Sequence, residues 1–264
     1  MELLAHRRLA RFLFLGLLLL LGVQLRSHAQ EGAVDSSPPK GMTPEEVIQR
    51  FAAKEKEWKQ ARELYTFRQE VKVRVLDGEM EMGEYRNVAD ISYAGGRRVK
   101  TAVLSPQPGI EMSREDLDDL ETRASFTISK DELPEYNVVY AGQQKVDELH
   151  CYIFEVAPKA VQKDKRYFKG RIWVDDQDFQ IVKNTGKSFP DIKIVKKKKV
   201  EENLFPQFTT WRQLIDGKYW FPTFSSADDT LHFHDSDVRI KQVLKFTNYR
   251  RAGATAQGKE KTPQ

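Results

Sequence analysis

The stretch that most constrains this chain is RYFKGRIWVDDQDFQIVKNTGK, Arg166 to Lys187, where two runs of alternating character flank a polar turn. Phe168, Gly170, Ile172 and Val174 share one face at period two, Lys169, Arg171 and Asp175 share the other, and Asp175 to Asp178 supplies the turn. The pattern predicts a β-hairpin in the middle of an antiparallel sheet with one large apolar face, and Trp173 is an aromatic on the polar side. Such a face must be covered by something, so function turns on what lies against it.

The segments around the hairpin predict more of the same sheet. From Thr66, Phe67, Val71, Val73 and Val75 alternate with charged residues as far as Asp77-Gly78. Strands follow at about Glu79 to Tyr93 and Arg97 to Leu104, joined by Ala94-Gly95-Gly96. Further strands are expected at Tyr136 to Val146, His150 to Ala157, Gln207 to Ile215, Lys218 to Ser226 and Asp237 to Tyr249, with Asp216-Gly217 as the strongest two-residue hairpin signal.

Two helices interrupt this pattern. The first opens at Thr43-Pro44-Glu45-Glu46 with an N-cap, a proline at the first position and a capping-box glutamate, and carries Val47, Ile48, Phe51, Trp58, Ala61 and Tyr65 along one side. The second, Ser113 to Ala124, has Ser113 as N-cap and a narrow stripe of Leu117, Leu120 and Ala124 between loops, the position of a mobile cover. The expected fold class is α+β, a curved antiparallel sheet with helices on one face.

Residues 1–29 read as a cleaved signal peptide: Arg7, Arg8 and Arg11 precede an apolar run from Phe12 to Leu21, and Ser27-His28-Ala29 suits a signal peptidase. The chain is then expected in the periplasm of a Gram-negative bacterium. Residues 30–41 read as a flexible leader, 42–250 as one domain and 251–264 as a disordered tail. The first 29 residues hold four of the 43 basic and one of the 39 acidic side chains, leaving 39 against 38. That balance gives no general basic footprint, and no nucleic-acid partner is expected. Cys151 is the only cysteine and cannot make an internal disulfide.

Chemistry is sparse. No nucleophile motif, phosphate-cradling glycine loop or zinc-ligand spacing occurs, so neither catalysis, a cofactor nor a metal is expected. His232 and His234 point to the same side of a strand near Asp228, Asp229, Asp235 and Asp237, but match no specific ligand spacing. Lys196, Lys197, Lys198 and Lys199 form the one dense positive run. It reads as a solvated edge that guards against strand pairing, or as a transient contact with anionic lipid headgroups.

Two segments, FKGRIWVDDQDFQIVK (residues 168–183) and NLFPQFTTWRQLIDGKYWFPTFSSADDTLHF (residues 203–233), resemble outer-membrane lipoprotein-sorting proteins of the LolA/LolB/RseB-like superfamily, in particular secreted bacterial members. The resemblance covers most of the chain after residue 29 and implies an incomplete β-barrel. Its helices would cover an apolar cavity that holds the acyl chains of a lipid or lipoprotein, without catalysis. Alternation then nominates Phe67, Val71, Val73, Phe154, Ile172, Val174, Leu244 and Phe246 from the sheet, with Val47, Phe51 and Trp58 from the first helix, as cavity lining. The alternative is an envelope stress-sensor or interaction module whose cavity is filled by its own helices and which binds a protein partner.

Overall fold

The computed structural model describes residues 31–252 except 164, 197 and 198. The signal-peptide reading, Lys197, Lys198 and most of the expected tail therefore lie outside the described residues.

Helix α1 spans Pro44–Ala61, and its capping box is present: Thr43 Oγ1 accepts from the Glu46 amide at 3.2 Å, while a Glu46 carboxylate oxygen accepts from the Thr43 amide at 2.7 Å. Strands β1 (Tyr65–Asp77), β2 (Met80–Ala94) and β3 (Arg97–Pro108) form the expected meander. Tyr65 thus begins a strand, after a short 3₁₀ turn at Arg62–Leu64. Helix α2 (Arg114–Thr122) is capped by Ser113 and Asp116. β4 (Tyr136–Val146), β5 (Leu149–Pro158), β6 (Tyr167–Asp175) and β7 (Ile181–Phe189) follow. β8 (Ile192–Lys196) and β9 (Lys199–Asn203) make a separate hairpin, and β10 (Phe208–Ile215), β11 (Tyr219–His232) and β12 (Asp237–Arg251) complete the chain.

Ten of these strands pair antiparallel in the order β3-β2-β1-β12-β11-β10-β7-β6-β5-β4, a curved sheet that does not close. The two halves meet at a short seam, where β7 and β10 pair only from Phe208 opposite Gly186 to Trp211 opposite Lys183. The hairpin of β8 and β9 leaves the sheet between them, with Lys196 paired opposite Lys199 in that separate hairpin and not along an edge of the main sheet.

Some boundaries differ from the sequence expectation for physical reasons. β11 continues past Ser226 to His232 because Asp228, Asp229 and Thr230 stay paired with β12. Asp228 also takes ion pairs from Arg239 and Lys241, both at 3.3 Å. Asp216 and Gly217 both have positive φ, the turn that matches strand twist in a two-residue hairpin. The stretch expected to be a leader lies along the outer edge of β4: the Gly32 and Asp35 amides donate to Lys145 and Gln143 carbonyls, each at 2.8 Å. That pairing covers a sheet edge that would otherwise expose unpaired backbone groups.

Trp173, the aromatic on the polar side, sits in a second small core with Val146, Cys151, Ile153 and Val182. Its Nε1 donates to Gln144 Oε1 at 2.7 Å, and Lys183 Nζ lies 4.2 Å from the ring centre while pairing with Glu31. Cys151 is buried there, and burial pushes its thiol up to about 12, so it is not a nucleophile at neutral pH.

Candidate functional site

The inner face of the sheet, under α1 and α2, is where the expected lining residues lie, and they fall into three groups. Val47 and Phe51 of α1 pack with Phe154, Ile172 and Val174 over β5 and β6. Val71, Val73, Leu244 and Phe246, with Phe67 against them, pack with Leu120 and Ala124 of the α2 region over β1 and β12. Trp58 packs apart from both, with Tyr65 and Phe221. Ten of these eleven residues are at most 6% exposed, Phe67 being the half-buried one.

The face is not continuously apolar. Across the strands, Leu244, Ser225, Thr210, Asn184, Ile172 and Phe154 stand opposite one another in a single row, and the three polar members in its middle are at most 2% exposed. Thr210 Oγ1 donates to Ser225 Oγ at 3.0 Å. This polar band separates the first two apolar groups, in place of the continuous apolar face that alternation suggested. Alternation of Val, Ile, Leu and Phe alone does not find it. Extending period two from Phe208 puts Thr210 and Arg212 on the inner face.

Two buried charge clusters sit against this band. Glu55, between Phe51 and Trp58 on the apolar stripe of α1, pairs with Arg212 of β10 at 2.9 Å, and Arg212 also donates to the Phe126 carbonyl at 2.8 Å. Both side chains are at most 1% exposed. Burial raises the Glu55 carboxyl, against the opposing pull of Arg212.

The second cluster lies beneath α2. Asp119 accepts from Ser188 Oγ of β7, Arg123 donates through Nη1 to Gln242 of β12, and Arg123 Nη1 lies 3.6 Å from Asp119. The Arg123 guanidinium sits 4.9 Å from the centre of the Phe208 ring, and that of Arg166 sits 3.8 Å from Phe205. Burial raises Asp119 while Arg123 and Arg166 oppose the shift; burial lowers Arg123 to about 10, so it stays charged at neutral pH.

A cleft of about 470 Å³ opens beside this cluster, between the end of α1, the end of α2 and the start of β4. Phe126, Tyr136, Arg62, Arg98 and Arg166 are among its walls. Its rim is held by ion pairs, Lys59 to Glu132 and Arg98 to Glu121, each at 2.6 Å. On the opposite side of the sheet a groove of about 620 Å³ runs over Gly170 and Gly186, between Lys169, Arg171 and Lys187.

Among the described residues, no three His, Cys, Asp or Glu side chains come together as a metal site. His232 and His234 are exposed, with His232 Nδ1 2.9 Å from Asp237 and the His234 amide donating to Glu202 at 2.6 Å. No helix among the described residues is long and apolar enough to cross a membrane.

No family model matches the chain, and no curated protein matches it. Among solved structures it is similar to a DUF1329 family protein from Desulfovibrio piger, with 14% identity over 81% of this chain and 96% of that one, at a TM-score of 0.39. It is also similar to a domain assigned to outer membrane lipoprotein sorting from Vibrio parahaemolyticus, with 12% identity over 80% and 95% of the two chains, at 0.37. A chain of the Pseudomonas aeruginosa MucA/MucB complex aligns at 10% identity over 79% of this chain and 99% of its own, at 0.22. Among the described residues the chain itself has an α+β plan, an open, curved antiparallel sheet of ten strands carrying two α-helices.

Proposed function

We propose that this protein is a non-catalytic periplasmic binder of acylated lipid or lipoprotein, taking an acyl chain between the inner face of the sheet and α2. The observation that carries this reading is the nature of the α2 contact. A nine-residue helix covers the apolar group of Val71, Val73, Leu244 and Phe246, and its footing includes the buried charges Asp119 and Arg123 beside Leu120. Desolvating an ion pair offsets much of what burial of the apolar stripe contributes, so this cover detaches more readily than an all-apolar one. An acyl chain entering its place gains about 0.8 kcal/mol per buried CH₂ and needs only apolar area.

Leu120→Ala is expected to lower stability by about 2–4 kcal/mol through lost packing and to loosen α2. Uptake of a fluorescent fatty-acyl probe should then speed up by about tenfold for each 1.4 kcal/mol removed from the closed state. A variant that is destabilised but takes up the probe no faster would show that α2 does not guard the site.

A second reading is a protein-interaction module whose interior is filled by its own helices. The near-complete burial of the expected lining residues supports it, as does strand β3, which among the described residues pairs only with β2 and carries the exposed Val99 and Val103. In that case a partner would add a strand along β3.

A further inference from the structure

Arg123 is fully buried, yet its Nε and Nη2 have no hydrogen-bond partner among the described residues; only Nη1 is engaged, by Gln242 and Asp119. Those two atoms form the side-on fork of a guanidinium, the one Arg68 presents to Asp90 at the surface with Nε to Oδ1 at 2.8 Å and Nη2 to Oδ2 at 3.0 Å. Leaving such charged donors buried and unpaired costs free energy, so the fork calls for an acceptor. Arg166, whose Nη1 is likewise buried without a partner, acts on the same Asp119 carboxylate and lines the cleft beside Phe126 and Tyr136. Two guanidiniums, Arg123 and Arg166, therefore act on the Asp119 carboxylate. Asp116, the other acid near Asp119, is held in the α2 capping box by Ser113.

We infer that Arg123, with Arg166, is the receptor for a carboxylate head group on the bound acyl ligand, at the junction of the two apolar groups of the inner face. The unpaired fork matches the two coplanar oxygens of a carboxylate. The tail has apolar surface on both sides. Arg123 lies over Phe208, which packs with Phe154 and Phe168, and it bonds Gln242, which stands between Ile240 and Leu244 on β12. This inference rests on the acyl-binding reading and adds the class of ligand to it.

The test compares hexadecanoate, hexadecanol and hexadecyl phosphate for binding to periplasm-purified protein stripped of lipid, in the parent and in Arg123→Lys, which keeps a charge and loses the fork. Hexadecanoate should bind at least about tenfold more tightly than hexadecanol, the scale of one charge-assisted hydrogen-bond pair. Arg123→Lys should lower the acid-to-alcohol affinity ratio by about tenfold, a readout that a loosening of α2 common to both ligands does not move. Equal binding of acid and alcohol would overturn the head-group site while the acyl reading stands. Binding of neither would overturn both. Hexadecyl phosphate binding about tenfold more tightly than the acid would replace the carboxylate by a phosphate head. Circular dichroism checks the fold of Arg123→Lys; if that variant does not fold, the acid-to-alcohol ratio of the parent decides alone.

Discussion

Arg212→Met is expected to destabilise the protein by about 3–5 kcal/mol, because it leaves the Glu55 carboxylate buried without its counter-charge. Glu55 and Arg212 bridge α1 and β10 at 2.9 Å with almost no exposure, and the same arginine holds the Phe126 carbonyl. The effect carries a pH signature. Burial already raises the folded Glu55 carboxyl, and loss of Arg212 removes what opposes that shift. A raised carboxyl contributes stability that is fully present below its unfolded value of about 4.3 and is lost as pH rises through the folded value. The deficit of Arg212→Met should therefore be larger at about pH 8 than at about pH 5, since Glu55 accepts a proton more readily at the lower pH. Adding Glu55→Leu should recover most of the loss, because an apolar pair of similar volume replaces an ion pair at little cost. Urea unfolding of the three proteins at both pH values measures this. An Arg212→Met variant within about 1 kcal/mol of the parent at both would contradict the buried pairing.

Gly170→Val is the second large effect, with an expected loss of about 3 kcal/mol or more from overpacking. Gly170 and Gly186 face each other across β6 and β7, and the Phe168 ring lies over both. A Cβ on Gly170 would stand 2.2 Å from the Thr185 carbonyl oxygen, 2.5 Å from Gly186 Cα and 2.9 Å from Phe168 Cζ. Backbone cannot retreat as a side-chain tip can, so the pairing of β6 with β7 must open or the ring must leave. The ring has little room, since it stacks on Phe126 at 4.2 Å between centroids. Chemical denaturation reads the loss. A variant within about 0.5 kcal/mol of the parent would show that the strands at this point are further apart than described.

The sheet was legible in the sequence because period-two alternation and the Asp-Gly and Gly-Gly turns act locally. Asp216-Gly217 and Gly95-Gly96 form the turns that their residue types demand, and the caps at Thr43 and Ser113 form as written. Alternation also brought the right side chains inward: Phe168, Ile172 and Val174 share a face, as do Val71, Val73, Leu244 and Phe246. What stayed hidden was polar and non-local. Asn184, Thr210 and Ser225 form a buried polar band only once the register lines them up across three strands. Glu55 looks like a stray acid on an apolar stripe until Arg212, distant in sequence, meets it. The outward Trp173 is covered by Val146, Cys151, Ile153 and Val182, with Lys183 over its ring held by Glu31 from the segment before α1. Each of these depends on which strands become neighbours, which periodicity does not encode.

Native mass spectrometry of the protein purified from a bacterial periplasm, followed by organic extraction, tests most directly whether the interior beneath α2 is a binding site. A mass excess equal to one lipid or acylated peptide per chain, recovered in the extract, is the result expected here. A bare polypeptide mass, with no uptake of added fatty-acyl ligand, would contradict it and turn attention to a protein partner along β3.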